Sequence, residues 1–266
     1  MGEPGNRLAN LFLRYASPFA ELRRVPIIGD FLSWTSRKLL PRDTLVWIQI
    51  QHGPARSLWI RVNPRTGQNV QRGIGEPQVQ QALVDHLRPG MTFYDLGANI
   101  GYFSLIAARL VGPKGRVVAF EADPEIAARL RENLSRNNFS HARVEQKAVW
   151  SEATTVSFAR VDPNTSPDRG LGHVSADSSG DTIKVEAVSL DRYVTAQNSP
   201  DFVKCDVEGA EAEVFRGADR LLEERRTILL VEMHSPENHR TLAHKFVELG
   251  YAVRNLDENH VLALPK

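Results

Sequence analysis

The stretch Phe93-Tyr94-Asp95-Leu96-Gly97-Ala98-Asn99-Ile100-Gly101 decides the fold of this chain. An apolar run ends in an acid, two glycines flank a short turn, and an amphipathic helix follows directly. This layout is typical of a β-strand that leads into a glycine-rich, nucleotide-binding loop. The glycines suit such a loop because a side chain there would keep the backbone away from a ligand.

Two acids indicate which nucleotide-like cofactor the loop binds. Asp95 would repel a pyrophosphate, but it suits the ammonium and sulfonium groups of S-adenosylmethionine. Glu121 ends the next predicted strand and can accept hydrogen bonds from both ribose hydroxyls. An NAD(P)-binding Rossmann oxidoreductase also needs the second acid, but its G-x-G-x-x-G pattern is not matched here. That enzyme class and a non-catalytic S-adenosylmethionine-binding module are the alternatives.

Composition limits the partners and the compartment. The 266 residues are 42% hydrophobic and 24% charged, with a net charge of +1. So small a charge gives no strong field to recruit nucleic acid, and we expect no nucleic-acid partner. The single Cys205 cannot form an internal disulfide, and no apolar run reaches transmembrane length. We therefore expect a cytoplasmic protein.

The chain divides into an extension, residues 1–72, and a cofactor-binding domain, residues 73–266. Residues 1 to about 42 predict two short helices that pack on the main domain or on a second subunit of a homodimer. Peripheral contact with a membrane surface is the alternative for this arm. Two strands, Leu45–Gln51 and Ser57–Val62, then form a hairpin.

From residue 73 onward the pattern predicts alternating helices and strands, and hence a mostly parallel sheet covered on both faces. The predicted strands are Thr92–Leu96, Arg116–Glu121, Ala142–Val149, Phe202–Val207 and Ile228–Met233, followed by an antiparallel pair, Tyr251–Leu256 and Val261–Leu264. The predicted helices are Glu76–Leu87, Ile100–Leu110, one capped by Asp123, Ala210–Leu222 and Glu237–Leu249. Residues 151–201 interrupt this rhythm with a polar loop, 162–180, and a strand, Thr182–Leu190, and form either a substrate lid or a simple excursion.

The block from Lys204 to Glu211 follows a central strand. Alternation places Lys204, Asp206 and Glu208 on one face, and such ionisable groups need one another or a ligand. Glu211 lies in the first turn of the next helix, where it could pair with Lys204. These residues therefore belong to the carboxyl edge of the sheet, where α/β folds bind ligands.

Glu232 and His234 end the following strand on a shared face. We predict His234 as the general base that removes a proton from the acceptor, with Glu232 orienting it. Asp206 and Glu208 are alternative bases or partners of a substrate hydroxyl. The main prediction is a site without metal, although Asp206, Glu232 and His234 could together bind a divalent ion.

The chain resembles the FkbM family of S-adenosylmethionine-dependent methyltransferases over residues 72–250. The matching pieces are Tyr94–Gly101, Phe120–Pro124, Lys204–Glu211, Val231–His234 and Gly75-Glu76. The block Asp206-Val207-Glu208-Gly209-Ala210-Glu211 is the specific one. Ala122 departs from the family, which often has proline after the acid.

The resemblance implies a class I methyltransferase fold: a Rossmann-like α/β sheet of seven mostly parallel strands with helices on both faces. It also implies O-methylation of a hydroxyl on a small molecule or sugar. In this family the methionine part of the cofactor would meet the loop formed by Gly97, Ala98, Asn99 and Gly101, and Glu121 would hold the ribose. The adenine would lie between Ala122 and the residues up to Ala148, and the amino group would meet the backbone at Asp206.

Overall fold

The computed structural model describes residues 45–63, 67–160, 172–174, 182–194 and 199–266. The predicted helical arm at residues 1–42 and most of the predicted loop at 162–180 lie outside these ranges. No helix within them is long and apolar enough to cross a lipid bilayer.

Strands and helices alternate along most of the described chain. The strands are β1 Val46–Gln49, β2 Trp59–Val62, β3 Thr92–Leu96, β4 Arg116–Phe120, β5 Ala142–Glu145, β6 Ala148–Val149, β7 Thr154–Ala159, β8 His173–Val174, β9 Thr182–Val188, β10 Phe202–Cys205, β11 Ile228–Glu232, β12 Tyr251–Asn255 and β13 His260–Pro265. The helices are α1 Gln68–Arg72, α2 Pro77–His86, α3 Tyr102–Val111, α4 Pro124–Arg136, α5 Leu190–Tyr193, α6 Glu211–Arg216, α7 Asp219–Glu223 and α8 Pro236–Glu248. Of these, the sequence patterns did not predict α1, α5, β7 and β8.

Seven strands of the described chain form one sheet in the order β12-β13-β11-β10-β3-β4-β5. β13 is antiparallel to β11 and β12, and the other neighbours run parallel. The antiparallel end follows from the short β12–β13 link, since a parallel crossover needs a dozen residues or more. The predicted Rossmann-like, seven-stranded class I methyltransferase fold is confirmed.

Helices cover both faces of this sheet and enclose an apolar core on each. Neighbouring residues of a strand point to opposite faces, so Phe93 packs on one side and Tyr94 on the other. Phe93 joins Phe202 and the buried faces of α2 and α3. Tyr94 joins the core beneath α6, α7 and α8. Burial on both faces explains why these strands read as continuous apolar runs.

A second sheet corrects the predicted strand Ala142–Val149. The chain leaves the main sheet after Glu145, and β6 pairs instead with β9, within a group ordered β6-β9-β7-β8. This group occupies the described part of the predicted insertion 151–201. It is tied to the main sheet by Arg160, whose Nε donates to Asp123, the N-cap of α4, at 2.8 Å.

The predicted helix Ala210–Leu222 is also corrected, because it is two helices, α6 and α7. The carbonyl of Gly217 turns away and accepts from the N–H of Asp191 at 3.0 Å. The Asp191 carboxylate in turn accepts from the N–H groups of Arg220 and Leu221 at the start of α7. A distant side chain therefore caps α7 and ends the first helix.

The β1–β2 hairpin is attached to α4 by two amide side chains. The fully buried Asn133 accepts from the N–H of Arg61 at 2.8 Å and donates to the carbonyl of Ile100 at 2.7 Å. Asn137 bonds both backbone groups of Trp59. The hairpin therefore shares hydrogen bonds, as well as an apolar core, with the part of the chain that forms the main sheet.

We expect Asn133→Ala to lower the free energy of unfolding by about 1–3 kcal/mol, because it leaves two partly buried backbone groups without this partner and empties a fully buried site. Chemical denaturation measures this change. The matched control is Glu132→Ala, which removes an exposed ion pair to Arg61 and should change stability by only about 0–1 kcal/mol. Equal effects of the two substitutions would contradict the buried attachment.

Candidate active site

A cavity of about 340 Å³ opens at the carboxyl ends of β3, β4, β10 and β11. Asn99 and Glu121, which share a hydrogen bond, line one end. Asp206, Glu208 and Glu232, which all lie within 3.9 Å of His234 Nε2, line the other. Gly97, which touches Asp206, lies between the two groups. Open α/β sheets bind ligands at this edge. The structure therefore brings most of the predicted cofactor residues and most of the predicted catalytic residues to one cavity.

Gly97 and Gly101 have left-handed backbone for different reasons. A Cβ on Gly97 would lie 1.7 Å from the carbonyl oxygen of Asp206, so the loop touches the turn after β10. A Cβ on Gly101 would lie 2.2 Å from Leu130 Cδ1, inside the core. Gly101 and the buried Ala98 are absent from the described cavity wall, so they support the loop from behind.

Glu121 fastens the loop to the end of β4. Its two carboxylate oxygens accept from the N–H groups of Asn99 and Asp123, each at 2.8 Å. Burial raises the pKa of Glu121 to about 7, although these hydrogen bonds oppose the rise. Ala122 and Ala148 line the same end of the cavity, so these three predicted cofactor residues lie together.

Asp95 does not line the cavity, which corrects the prediction that it faces the cofactor. It is fully buried, accepts from the Ser104 hydroxyl at 2.6 Å, and lies 3.8 Å from the ammonium of Lys204. The cause is register, since Asp95 and Lys204 lie opposite each other on β3 and β10. Burial raises the pKa of Asp95, and Lys204 and Ser104 only partly oppose this.

Lys204 also donates to Asp206 at 3.0 Å. Although burial disfavours its charge, the carboxylates of Asp206 and Asp95 raise the pKa of Lys204 above its ordinary value. The predicted pairing of Lys204 with Glu211 is wrong, because Glu211 instead bonds to Gly209, His234 and Asn238. Asp206 thus connects the buried ion cluster to the cavity.

His234 is held by Glu211 rather than by the predicted Glu232. Its Nδ1 is 2.8 Å from the fully buried Glu211 carboxylate, whereas Glu232 is 3.9 Å from Nε2. Nε2 lies 3.3 Å from Glu208 and 3.8 Å from Asp206. Glu208 and Glu211 raise the pKa of His234 to about 10.

The pKa of Glu211 lies below its ordinary value. Burial alone would raise this pKa, but hydrogen bonds from His234, Gly209 and Asn238 stabilise the ionised carboxylate and lower it. The pair is therefore an imidazolium beside a carboxylate at neutral pH. Alternation of side chains along β11 predicted Glu232 as the partner of His234. That argument uses one strand alone and does not include Glu211, which begins α6.

A second group of acids and an imidazole was not predicted. Glu76, Glu232 and His260 place one potential metal-ligand atom each within 4.8 Å of one another, as do Asp206, Glu232 and His234. His260 lies opposite Glu232 in the antiparallel pairing of β11 with β13. The polar turn before His260 was visible in the sequence, but its neighbour Glu76 comes from a distant helix start.

Three residues with side chains on the cavity wall have left-handed backbone without being glycine. Glu76, Asn99 and Glu208 have φ values of +43°, +50° and +53°. Such conformations are unfavourable, and they persist where surrounding contacts fix them, often at functional sites. Their concentration around one cavity supports its identification as the active site.

The chain is similar to known methyltransferases. The family model "Methyltransferase FkbM domain" matches residues 95–255. The hexuronic acid methyltransferase AglP of Haloferax volcanii is 29% identical over 163 residues, which are 60% of this chain and 63% of that protein. The arsenite methyltransferase of Halobacterium salinarum is 29% identical over 108 residues, 39% of this chain and 27% of that protein.

Each alignment thus spans less than two thirds of the curated relative's length. Among solved structures, the crystal structure of a methyltransferase FkbM from Methylobacillus flagellatus aligns with a TM-score of 0.48 at 18% identity. That alignment covers 70% of this chain and 52% of the other.

We expect Lys204→Met to lower the free energy of unfolding by about 3–5 kcal/mol, because it leaves Asp95 buried without a cation. The double variant Asp95→Asn with Lys204→Met should regain most of this loss in chemical denaturation. Lys245→Met is the control, since its partly exposed ion pair with Asp219 contributes only about 0–1 kcal/mol. Simple additivity of the two substitutions would contradict the buried pair.

Proposed function

Because the chain belongs to the FkbM family of S-adenosylmethionine-dependent methyltransferases, we propose that it methylates a hydroxyl group of a small molecule or sugar. One observation carries the choice of acceptor. Asp206, Glu208 and Glu232 present carboxylate oxygens at one end of the cavity. An ionised carboxylate accepts hydrogen bonds and cannot donate them. These three residues therefore suit a methyl acceptor that is rich in hydroxyl groups.

The other end of the cavity fits the methyl donor. Glu121 uses two backbone N–H groups and keeps further lone pairs, which can accept from ribose hydroxyls. Ala122 and Ala148 belong to an apolar cluster with Phe158, which provides a surface for adenine. Gly97 touches the backbone of Asp206, whose side-chain charge suits the cationic methionine part. Bound S-adenosylmethionine supplies an electrophilic methyl group on sulfur.

Glu208 is the proton acceptor in this proposal. The acceptor oxygen would lose its proton as it forms a bond to the methyl carbon, and the bond from that carbon to the donor sulfur would break, which leaves a neutral thioether. His234 already carries a proton at neutral pH, since its pKa is raised to about 10, so it cannot take another. It instead holds the Glu208 carboxylate at 3.3 Å, and Glu211 fixes the ring from behind. Asp206 is the alternative proton acceptor.

A sugar is the favoured class of acceptor. The relative AglP is named for a hexuronic acid, and the three carboxylates of the acceptor end match a ring bearing several hydroxyls. The same negative charges disfavour an anionic acceptor whose own carboxylate enters this end of the cavity. We therefore place the methylated hydroxyl, rather than a carboxylate, against Glu208.

The proposal is tested by incubating the protein with methyl-labelled S-adenosylmethionine and a panel of acceptors. The panel pairs neutral glycosides with matching uronic acids and with hydroxyl-free analogues. Mass spectrometry and NMR should find a new methyl ether on a glycoside. Donor binding without transfer to any hydroxyl would favour the non-catalytic module, and binding of NADH instead of the donor would favour the oxidoreductase.

Donor affinity should depend on the ionisation of Glu121. Because its pKa is about 7, the carboxylate is mostly ionised at pH 8 and mostly protonated at pH 6. If only the ionised form accepts the ribose hydroxyls, isothermal titration should show a Kd about tenfold higher at pH 6 than at pH 8.

Glu121→Gln should bind more weakly and lose this pH dependence. Glu145→Gln is the control, because Glu145 is a buried carboxylate away from the cavity wall. A pH dependence that survives in Glu121→Gln would remove Glu121 from the donor site.

Glu208→Gln should lower kcat by at least about 100-fold while the Kd for the donor is unchanged, as expected for loss of a general base. Glu237→Gln, an exposed acid on α8, is the control. The pH profile separates Glu208 from His234. If kcat/KM of the wild type rises toward pH 10, and this rise is absent in His234→Gln, then His234 is the base.

A further inference from the structure

We propose that Glu76, Glu232 and His260 bind a divalent transition-metal ion of the zinc or manganese type on the wall of the cavity. The starting point is the imidazole of His260, whose side chain is only 8% exposed. Its Nδ1 is 2.9 Å from both carboxylate oxygens of Asp257. Its Nε2 is buried and has no hydrogen-bond partner among the described residues.

Nε2 is aimed at two carboxylates. It lies 3.4 Å from Glu76 Oε2 and 3.6 Å from Glu232 Oε2. Two atoms bound to one tetrahedral ion at about 2.1 Å each are separated by about 3.4 Å. The two distances from Nε2 match this spacing and are long for direct hydrogen bonds, and the two carboxylate oxygens lie within 4.8 Å of each other.

The partner of Nδ1 favours metal binding. Histidines that bind metals usually donate their other ring N–H to a carboxylate, which fixes the tautomer and the ring. Asp257 is such a carboxylate, and it is held by the N–H groups of Asn259 and His260 at 2.9 and 2.8 Å. With an ion bound, Nε2 would present its lone pair to that ion, beside Glu76 and Glu232.

The charges around His260 also favour a bound divalent ion. Glu76, Glu232 and Asp257 surround a single imidazole, so one proton on the ring offsets only one of three negative charges. A divalent ion bound to a neutral ring offsets two. The mixture of one imidazole and two carboxylates suits zinc or manganese better than an all-oxygen ion such as magnesium.

The neighbouring group Asp206, Glu232 and His234 is a weaker candidate. His234 already has close partners on both ring nitrogens, Glu211 at 2.8 Å and Glu208 at 3.3 Å. Glu232 faces His234 with Oε1 and His260 with Oε2, so it connects the two groups. Of the ring nitrogens in these two groups, only the Nε2 of His260 is both buried and without a hydrogen bond among the described residues, and this assigns the ion to that side.

Three protein ligands leave a fourth position open. Glu76 and Glu232 both line the cavity, so this position faces the acceptor end. The ion can therefore contact an acceptor oxygen, a consequence that rests on the proposed function. Binding of the ion itself does not depend on it.

The test is isothermal titration of the metal-stripped full chain with Zn²⁺, without donor or acceptor. The wild type should bind one equivalent at this site. Glu76→Gln, a substitution at a partly exposed side chain, should weaken that binding at least tenfold, since even loss of an outer-shell partner weakens metal sites about 10–100-fold. His260→Gln should abolish it, with circular dichroism checking that the buried substitution folds.

Two variants serve as controls. His244→Gln removes an exposed histidine that contacts Glu248, and it should leave this binding unchanged. His234→Gln separates the two groups. The proposal is overturned if Zn²⁺ does not bind, if Glu76→Gln binds like the wild type, or if binding is lost in His234→Gln but kept in His260→Gln. Because no methyl transfer is measured, this result is independent of the proposed function.

Discussion

A buried lysine on one of the two central strands constrains the positions of the loops that form the site. Lys204 on β10 lies opposite Asp95 on β3, and its ammonium also binds Asp206. A charge removed from water is tolerated only when opposite charges and hydrogen bonds surround it. The loop after β3 and the turn after β10 therefore converge above this group. They meet where Gly97 touches the carbonyl of Asp206.

That convergence produces a cavity with an excess of carboxylates at one end. Asp206, Glu208 and Glu232 lie there, with Glu211 directly behind them. Negative charge at this concentration favours cations and hydroxyl donors, and it keeps His234 protonated. A cationic methyl donor, a hydroxyl acceptor and a divalent ion are all compatible with it. The acidity therefore limits the chemistry of the site more than its shape does.

The strands of the main sheet were predictable because they are buried on both faces and read as short apolar runs. Asp123 was predicted as a helix cap and does accept from the first N–H groups of α4. The predicted strand Ala142–Val149 and the predicted helix Ala210–Leu222 were wrong because residues distant in sequence determine where these elements end. β6 left the main sheet to pair with β9, and Asp191 ended one helix by capping the next.

The sequence by itself determined the fold class, the glycine-rich loop after β3 and the set of ionisable residues at the carboxyl edge of the sheet. These follow from local spacing, since alternation and glycine positions are written along the chain. Only the tertiary structure decided which of those residues meet. It buried Asp95 beneath the loop, paired His234 with Glu211, and brought Glu76 to His260. The physical reason is that such pairings depend on strand register and on helices packed across strand ends, and neither is encoded in the spacing of a single segment.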